Sequence, residues 1–555
     1  MRVERDVAIP MRDGVVLRAD VYRPPGERPA PAVVSRTPYD RSFSLTPPAA
    51  LDPERATSAG LALVCQDVRG QHGSDGVFYP FRSEGPDGHD TVEWVASRPW
   101  CNGAVGMAGR SYTAATQWLA AAARPPHLRA IAPIVVGSDY YEGWVYQGGA
   151  FQLGFNLFWV HLMTSGRRKV SLDEQYRHLP LTDPPLLEES PAGGFYRDWL
   201  AHPTADDYWK ALAINRHYDR VEVPALNVGG WFDIFLGGTL ENFASMRREG
   251  GSPAARAGTR LLIGPWAHGS TYGAYPDHGF DEFSPADRID LTELQLRFFA
   301  SHLGGERHGD EEPPVRLFVM GENRWRDEDE WPVTRAREER WYLHEDGLLS
   351  PTPPDQEPAD EYIYDPREPA PTIGGPTSLP GKLLRTNSGP LDQRRVEERA
   401  DVLVYSSEPL ERPLEVTGPL TLVLHAATTA VDTDFVGKLC DVAPDGVSRI
   451  LAEGVLRARY REGYERPRPV EPGAVLEYRI DLVATCNVFL PGHRVRLCVT
   501  SSSFPRFDRN ANTGNPLGTD TEADLRPARQ TVFHDAERPS YVVLPLVHAA
   551  FRALS

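Results

Sequence analysis

Three residues that together could carry out acyl transfer each stand where an apolar run ends. Ser111 lies in Gly109-Arg110-Ser111-Tyr112, after a strand-like run and before a helix-forming stretch. Asp233 and His268 each close a later apolar run. A serine hydroxyl is a poor nucleophile until an imidazole takes its proton, and the imidazole needs a carboxylate to hold its tautomer. These residues are the candidate nucleophile, acid and base.

The order of the three residues along the chain favours one fold over others. Serine, then aspartate, then histidine is the order of the α/β hydrolases, whereas the chymotrypsin and subtilisin folds use different orders. The turn itself is a weak signal, because the usual G-x-S-x-G pattern has glycine where this chain has Thr113. The prediction therefore depends on all three residues together.

Each of the three residues also has a simpler explanation. Ser111 and Asp233 are residue types that cap helices, and His268 is one of 16 histidines. Taken singly, each residue favours that explanation. Three such residues in this order, at the ends of three apolar runs, favour a catalytic triad.

The elements that must hold these residues form an α/β pattern followed by an all-β pattern. Residues 1–140 alternate strand-like and helix-like runs, which predicts the first part of an α/β-hydrolase core. Residues 141–220 are rich in aromatics without clear strands, so we expect a helical cap over the sheet edge where ligands bind. Residues 221–307 complete the core, and residues 314–555 alternate as in a jelly-roll β-sandwich.

Composition restricts the class of partner and the compartment. The net charge of -18 argues against binding to nucleic acid or to an anionic membrane, because both require a basic surface. The five cysteines are widely spaced and lack a CxxC pattern, which predicts free thiols, a reducing compartment and no zinc site. No segment resembles a signal peptide or a membrane span, so the chain is predicted to be cytoplasmic.

Seven ordered segments resemble the bacterial cocaine esterase family, which includes α-amino acid ester hydrolases, glutaryl cephalosporin acylases and Xaa-Pro dipeptidyl-peptidases. They span nearly the whole chain. The segments are Arg36-Thr37-Pro38-Tyr39-Asp40, Gln66-Asp67-Val68-Arg69-Gly70, Gly109-Arg110-Ser111-Tyr112, Gly230-Trp231-Phe232-Asp233, Gly264-Pro265-Trp266-Ala267-His268, Val431-Asp432-Thr433-Asp434-Phe435 and Ser503-Phe504-Pro505-Arg506-Phe507-Asp508-Arg509-Asn510.

The resemblance implies a cofactor-independent serine hydrolase with an α/β-hydrolase core, a cap and a jelly roll. The family's triad falls on Ser111, Asp233 and His268. The resemblance also implies that the Tyr39 hydroxyl and the backbone N–H of Tyr112 bind the oxyanion; from its sequence alone, Tyr39 would be a loop aromatic. A homodimer is expected by analogy.

Departures from the family's pattern, together with matching aromatic positions, indicate which small-molecule ester the protein is expected to cleave. α-Amino acid ester hydrolases carry acidic residues after the triad aspartate, whereas residues 234–237 here are Ile-Phe-Leu-Gly. A buried ammonium group without a partner is disfavoured, so free α-amino substrates are not expected. Trp144, Trp159 and Phe235 match aromatic positions that line the family's acyl pocket, which favours a bulky or aromatic acyl group. Alternatively, these tryptophans only form the core of the cap.

The sequence is also compatible with two other functions. An amide-cleaving acylase or Xaa-Pro dipeptidyl-peptidase would use the same triad. A protein of another class, a non-catalytic binding module acting through its jelly roll, would not need the triad at all.

Overall fold

The computed structural model describes residues 1–42, 51–163, 171–187, 193–280, 289–304, 313–380 and 387–547. They form a mixed α/β core, a helical insertion and an all-β C-terminal region. The predicted fold class is confirmed. No helix in these ranges is long and apolar enough to cross a membrane.

The strands follow one another along the whole chain, with the helices concentrated in its first half. In chain order the strands are β1 (Arg2–Pro10), β2 (Val16–Arg23), β3 (Ala30–Thr37), β4 (Ala62–Asp67), β5 (Cys101–Arg110), β6 (Leu128–Ile134), β7 (Tyr146–Gln147), β8 (Ala150–Phe151), β9 (Leu226–Phe232), β10 (Arg260–Ala267), β11 (Ala274–Tyr275), β12 (His278–Gly279), β13 (Val315–Val319), β14 (Arg324–Glu328), β15 (Arg337–Leu343), β16 (Leu349–Ser350), β17 (Asp360–Tyr364), β18 (Leu403–Ser406), β19 (Leu414–Thr428), β20 (Asp434–Val442), β21 (Ser448–Arg457), β22 (Leu476–Phe489), β23 (Arg494–Thr500), β24 (Ala528–Phe533) and β25 (Tyr541–Leu546). The α-helices are α1 (Pro53–Ser58), α2 (Glu84–Ala96), α3 (Tyr112–Ala122), α4 (Leu153–Met163), α5 (Leu172–Arg177), α6 (Gly193–Ala201), α7 (Asp207–Lys210), α8 (Leu236–Glu249), α9 (Pro253–Gly258), α10 (Leu291–Leu303) and α11 (Arg394–Glu397).

The core is a ten-stranded sheet in the order β1-β2-β4-β3-β5-β6-β9-β10-β13-β14. The strands from β4 to β13 in this order are parallel, and antiparallel pairs close both edges. The central strands are almost wholly buried because helices cover both faces of the sheet, with α2 and α3 on one face and α1 and α10 on the other. The carboxyl ends of β5, β9 and β10 therefore meet at one edge, where Ser111, Asp233 and His268 follow.

The insertion between β6 and β9 carries helices α4 to α7 and the short hairpin β7-β8. Its side chains continue the hydrophobic core cluster that lies under α2 and α3. The helix most relevant to the site is α4, because Phe155 and Trp159 on α4 lie among the aromatic rings near Ser111 and His268.

The C-terminal region is two packed sheets. One contains β15, β16, β17, β19, β22, β24 and β25, and the other has the order β18-β23-β20-β21. In the first half of β22, for example, buried and exposed residues alternate, because one face of the strand is directed toward the core of the sandwich.

The boundary between core and sandwich differs from the predicted start at residue 314. Strand β13 pairs in parallel with β10, and β14 pairs with β13, so residues 315–328 extend the core sheet. The apolar and polar residues of β13 and β14 alternate as in the sandwich strands. Only the pairing of β13 with β10 shows that these two strands belong to the core sheet.

Candidate active site

Ser111 occupies a strained turn between β5 and α3. Its φ of 59° and ψ of -125° are unusual for a residue with a side chain, and such a conformation typically costs about 1–3 kcal/mol. The turn is possible because Gly109 has no Cβ: one placed there would lie 2.2 Å from Thr113 Cγ2. Thr113 stands where the usual pattern has glycine, and its side chain fits because Gly109 has no side chain.

The structure brings the three predicted residues together in one hydrogen-bonded row. Ser111 Oγ lies 2.9 Å from His268 Nε2, and His268 Nδ1 lies 2.9 Å from Asp233 Oδ2. Asp233 is buried, and its Oδ2 accepts a hydrogen bond from the Nδ1–H of His268, which leaves Nε2 as the acceptor for the serine proton. This tautomer is the one in which the imidazole acts as a general base toward Ser111.

The structure also shows whether Ser111 and Asp233 act as helix caps. Ser111 stands at the N-cap position of α3, but its side chain makes no capping hydrogen bond. Asp233 does accept a local backbone bond, since the N–H of Phe235 lies 2.7 Å from its Oδ1. One carboxylate oxygen therefore fixes the turn after β9 while the other holds His268.

Arg110 ties the serine turn to the histidine loop. Its guanidinium donates to the carbonyl of His268 and, at 3.4 Å, to that of Ala267. Burial lowers the pKa of Arg110, with the nearby Asp233 carboxylate acting in the opposite direction. Sequence reasoning did not single out Arg110, because the middle position of G-x-S admits many residue types.

Tyr39 follows β3 and places its hydroxyl beside the serine. Trp159 Nε1 donates to Tyr39 Oη at 2.8 Å. Burial raises the pKa of Tyr39 to about 12, against the opposing influence of Trp159 and Ser111. The phenol thus keeps its proton at neutral pH and can act as a donor.

Tyr112 begins α3, so its backbone N–H has no partner in a preceding helical turn and is available to an acceptor outside the helix. Its side chain is buried and anchored: the hydroxyl donates to Glu84 Oε1 at 2.9 Å and accepts from the N–H of Phe81 at 2.9 Å. Burial raises the pKa of Glu84, and the Arg36 guanidinium, 2.9 Å from Oε2, opposes that shift. Glu84 was missed from the sequence, because its place at the start of α2 carries no local signal.

The three predicted pocket residues lie in one cluster of aromatic rings around the triad. Trp144 stacks on Phe235 with 4.3 Å between centroids, and the Phe235 ring meets His268 edge-on at 5.1 Å. Trp159 stacks on Tyr112 at 5.8 Å. Phe155, which sequence reasoning missed, lies 6.3 Å from the His268 ring and one helical turn before Trp159.

The C-terminal region holds the cap segment that carries these rings. Asp508 Oδ1 accepts from the N–H of Phe151 at 2.8 Å and from Arg457 at 2.8 Å. The carbonyl of Pro505 accepts from the N–H of Gly154, in the first turn of α4, at 2.8 Å. The family motif around Asp508 thus fixes the start of the helix that presents Trp159.

One group of side chains in the described residues has metal-ligand types close together. Glu397, Cys440 and Cys498 place ligand atoms within 4.8 Å of one another. The carboxylate is already engaged, because Glu397 pairs with Arg496 at 2.6 Å and accepts from Ser448 at 2.5 Å. All five cysteines are free and buried. The three residues lie in the C-terminal region, and hydrogen bonding accounts for their proximity without a metal ion.

Comparisons with known proteins find relatives over almost the whole chain. Residues 13–270 match the family described as X-Pro dipeptidyl-peptidase (S15 family), and residues 307–543 match the X-Pro dipeptidyl-peptidase C-terminal non-catalytic domain. Cocaine esterase from Rhodococcus sp. (strain MB1 Bresler) is 37% identical over 582 residues, which cover 98% of this chain and 98% of the relative.

Two solved structures are similar over almost the full length. An aminopeptidase from the marine sediment archaeon Thaumarchaeota archaeon has a TM-score of 0.86 and 29% identity, covering 99% of this chain and 96% of that one. An α-amino acid ester hydrolase has a TM-score of 0.85 and 29% identity, covering 98% and 96%. With 37% identity to the Rhodococcus enzyme over 98% of its length, the chain belongs to the cocaine esterase family of serine hydrolases, as its motifs predicted.

Proposed function

We propose that this protein hydrolyses carboxylic esters with a bulky or aromatic acyl group through an acyl-enzyme on Ser111. The observation that carries the proposal is the row Ser111–His268–Asp233, with both hydrogen bonds at 2.9 Å. The similarity to a cocaine esterase over 98% of the chain supports an ester as the substrate class.

The reaction follows from the proton positions. His268 Nε2 takes the proton of Ser111 as Oγ attacks the acyl carbonyl, and Asp233 stabilises the imidazolium that forms. The carbonyl oxygen becomes an oxyanion, which accepts from Tyr39 Oη–H and the N–H of Tyr112. His268 returns its proton to the leaving alcohol. Water then attacks the acyl-enzyme by the same steps and frees Ser111 and the acid.

The two oxyanion donors are expected to contribute much of the rate. Removing one such donor typically lowers kcat about 10²- to 10³-fold. Tyr39 is suited to this role because its raised pKa keeps the hydroxyl protonated. Tyr112 is suited to it because its side chain is anchored on Glu84, which holds the backbone N–H in place.

The aromatic rings near Ser111 and His268 favour a bulky acyl group. Trp144, Trp159 and Phe235, with Phe155, offer apolar walls that bury a ring of the substrate and can stack on it. Residues 234–237 after the triad aspartate are uncharged, so no carboxylate there pairs with a substrate ammonium. A neutral acyl group is therefore expected.

A panel of p-nitrophenyl esters from acetyl to benzoyl tests the acyl preference. We expect kcat/KM to rise with the apolar bulk of the acyl group. A strong preference for acetyl would show that the aromatic cluster is packing and not a substrate wall. Phe155→Ala provides a check on a residue beside His268, with a loss expected for benzoyl and little change for acetyl.

Peptide amides are the second candidate substrate, because the matched family is named for X-Pro dipeptidyl-peptidases and a similar structure is an aminopeptidase. Parallel assays on aryl esters and Xaa-Pro p-nitroanilides separate the two candidates. We expect the esters to be cleaved with much higher kcat/KM. A higher value for the Xaa-Pro amide would replace the ester proposal.

We also propose a cytoplasmic location and a homodimer. The location is supported by five free cysteines, and the dimer by analogy with the family alone. Cell fractionation and analytical ultracentrifugation test them.

A further inference from the structure

The hydroxyl of Tyr39 has a hydrogen-bonding neighbour that limits where its proton points. Trp159 Nε1 lies 2.8 Å from Tyr39 Oη. An indole nitrogen only donates, so Oη is the acceptor in this bond and one of its lone-pair positions is occupied. The phenolic proton therefore points away from Trp159.

We propose that Trp159 is a positioning residue for the oxyanion donor Tyr39, a role separate from that of a pocket wall. This inference rests on the proposed function, because Tyr39 matters only if an oxyanion forms at Ser111. The indole N–H fixes the orientation of the phenolic O–H before substrate binds. It also draws charge from Oη, which makes Oη–H a stronger donor. A donor that is already oriented needs no reorganisation when the oxyanion forms.

The indole of Trp159 is held firmly enough for this role. Only 3% of Trp159 is exposed. Its ring stacks on Tyr112 on one side, at 5.8 Å and 19°, and on Trp199 of α6, at 6.0 Å and 26°. Rotation of the indole would break both stacks, so the N–H stays directed at Tyr39.

Trp144 provides the internal comparison. It lies in the same aromatic cluster and is fully buried, yet its Nε1 has no hydrogen-bond partner among the described residues. Its contribution comes from its ring, which stacks on Phe235. The two tryptophans differ in what their N–H groups do, and replacing each by phenylalanine separates ring loss from N–H loss.

The test is a double-mutant cycle on kcat with acetyl and benzoyl p-nitrophenyl esters. Trp159→Phe is measured in the wild-type and in the Tyr39→Phe background, and Trp144→Phe in the same two backgrounds. A neutral hydrogen bond of this kind contributes roughly 3- to 10-fold. We expect Trp159→Phe to lower kcat by that factor on both esters when Tyr39 is present, and by less than about twofold in Tyr39→Phe.

Trp144→Phe is expected to act differently, with an effect that grows with acyl size and is the same in both backgrounds. An equal loss of kcat from Trp159→Phe with and without the Tyr39 hydroxyl would overturn the inference, because it would mean that only the ring matters. A loss confined to KM, or to the benzoyl ester, would overturn it as well.

Two further measurements cover a Trp159→Phe variant that does not fold and a wild-type protein that shows no activity. If Trp159→Phe does not fold, replacing Trp159 with 3-benzothienylalanine keeps the ring and exchanges the N–H for sulfur, and the same cycle applies. Fluorophosphonate labelling of wild-type protein is run in parallel. Wild-type protein that neither hydrolyses esters nor reacts at Ser111 would remove the proposed function and the inference together, whereas an active enzyme with an additive cycle removes the inference alone.

Discussion

Asp233→Asn is expected to disable the site through the tautomer of His268, with the fold retained. The wild-type carboxylate accepts two hydrogen bonds, one from the N–H of Phe235 at 2.7 Å and one from His268 Nδ1 at 2.9 Å. Asparagine offers one acceptor oxygen and one donor NH₂ group in the same space. It can satisfy only one of those two N–H groups, and the choice decides the state of the histidine.

The two orientations of the new amide differ in free energy. With its oxygen on Phe235 N–H, the NH₂ donates to His268 Nδ1, the proton moves to Nε2, and every group has a partner. With its oxygen on Nδ1, the NH₂ faces the buried N–H of Phe235, which costs about 1–3 kcal/mol. The first orientation is favoured by about 5- to 150-fold, and a histidine protonated at Nε2 cannot take the serine proton.

The tautomer preference alone lowers kcat by about 5- to 150-fold, and loss of the charge that stabilises the imidazolium lowers it further, toward the order of 10⁴-fold. KM should change little, because Asp233 is 1% exposed and does not reach substrate. The assay is steady-state hydrolysis of a p-nitrophenyl ester, with thermal unfolding to verify the fold. An Asp233→Asn enzyme within tenfold of wild-type kcat would refute the reasoning.

Three other perturbations test the supporting structure. Gly109→Ala places a Cβ 2.2 Å from Thr113 Cγ2, so we expect a loss of about 1–3 kcal/mol in urea unfolding, with part regained in Gly109→Ala/Thr113→Ser; an unchanged single variant would contradict the turn geometry. Asp508→Asn weakens a bond to the cap hairpin and should speed amide exchange there more than in the core sheet; uniform exchange would argue against this anchor. The Asp441 carboxylate raises the pKa of His493, so the stability that wild type has over His493→Gln should be full below about pH 6.5 and lost as pH rises through the higher folded pKa; a gap that widens from pH 6 to 9 would contradict the sign.

The sequence predicted that the three candidate triad residues lie together, because they stand at the carboxyl ends of parallel strands and such ends share one edge of a sheet. Ser111, Asp233 and His268 could therefore be placed together without knowing any side-chain position. Tyr39 required the family resemblance, since a tyrosine after a strand has no distinctive local pattern.

Other parts of the site depend on side-chain packing that no local pattern contains. Glu84 lies 28 positions before Tyr112, and only the folded core brings its carboxylate to that hydroxyl. The bond from Trp159 to Tyr39 spans 120 positions and requires the cap to fold onto β3. The place of β13 in the core sheet is equally tertiary, because its alternation suits either sheet.

The central claim is that Ser111 is the nucleophile, and its most direct test is ester hydrolysis by Ser111→Ala. The substitution removes only Oγ from a residue that is partly exposed and makes no capping bond, so the fold should remain, as circular dichroism would verify. The account predicts loss of p-nitrophenyl ester hydrolysis to the background rate. Activity retained in a folded Ser111→Ala protein would contradict it.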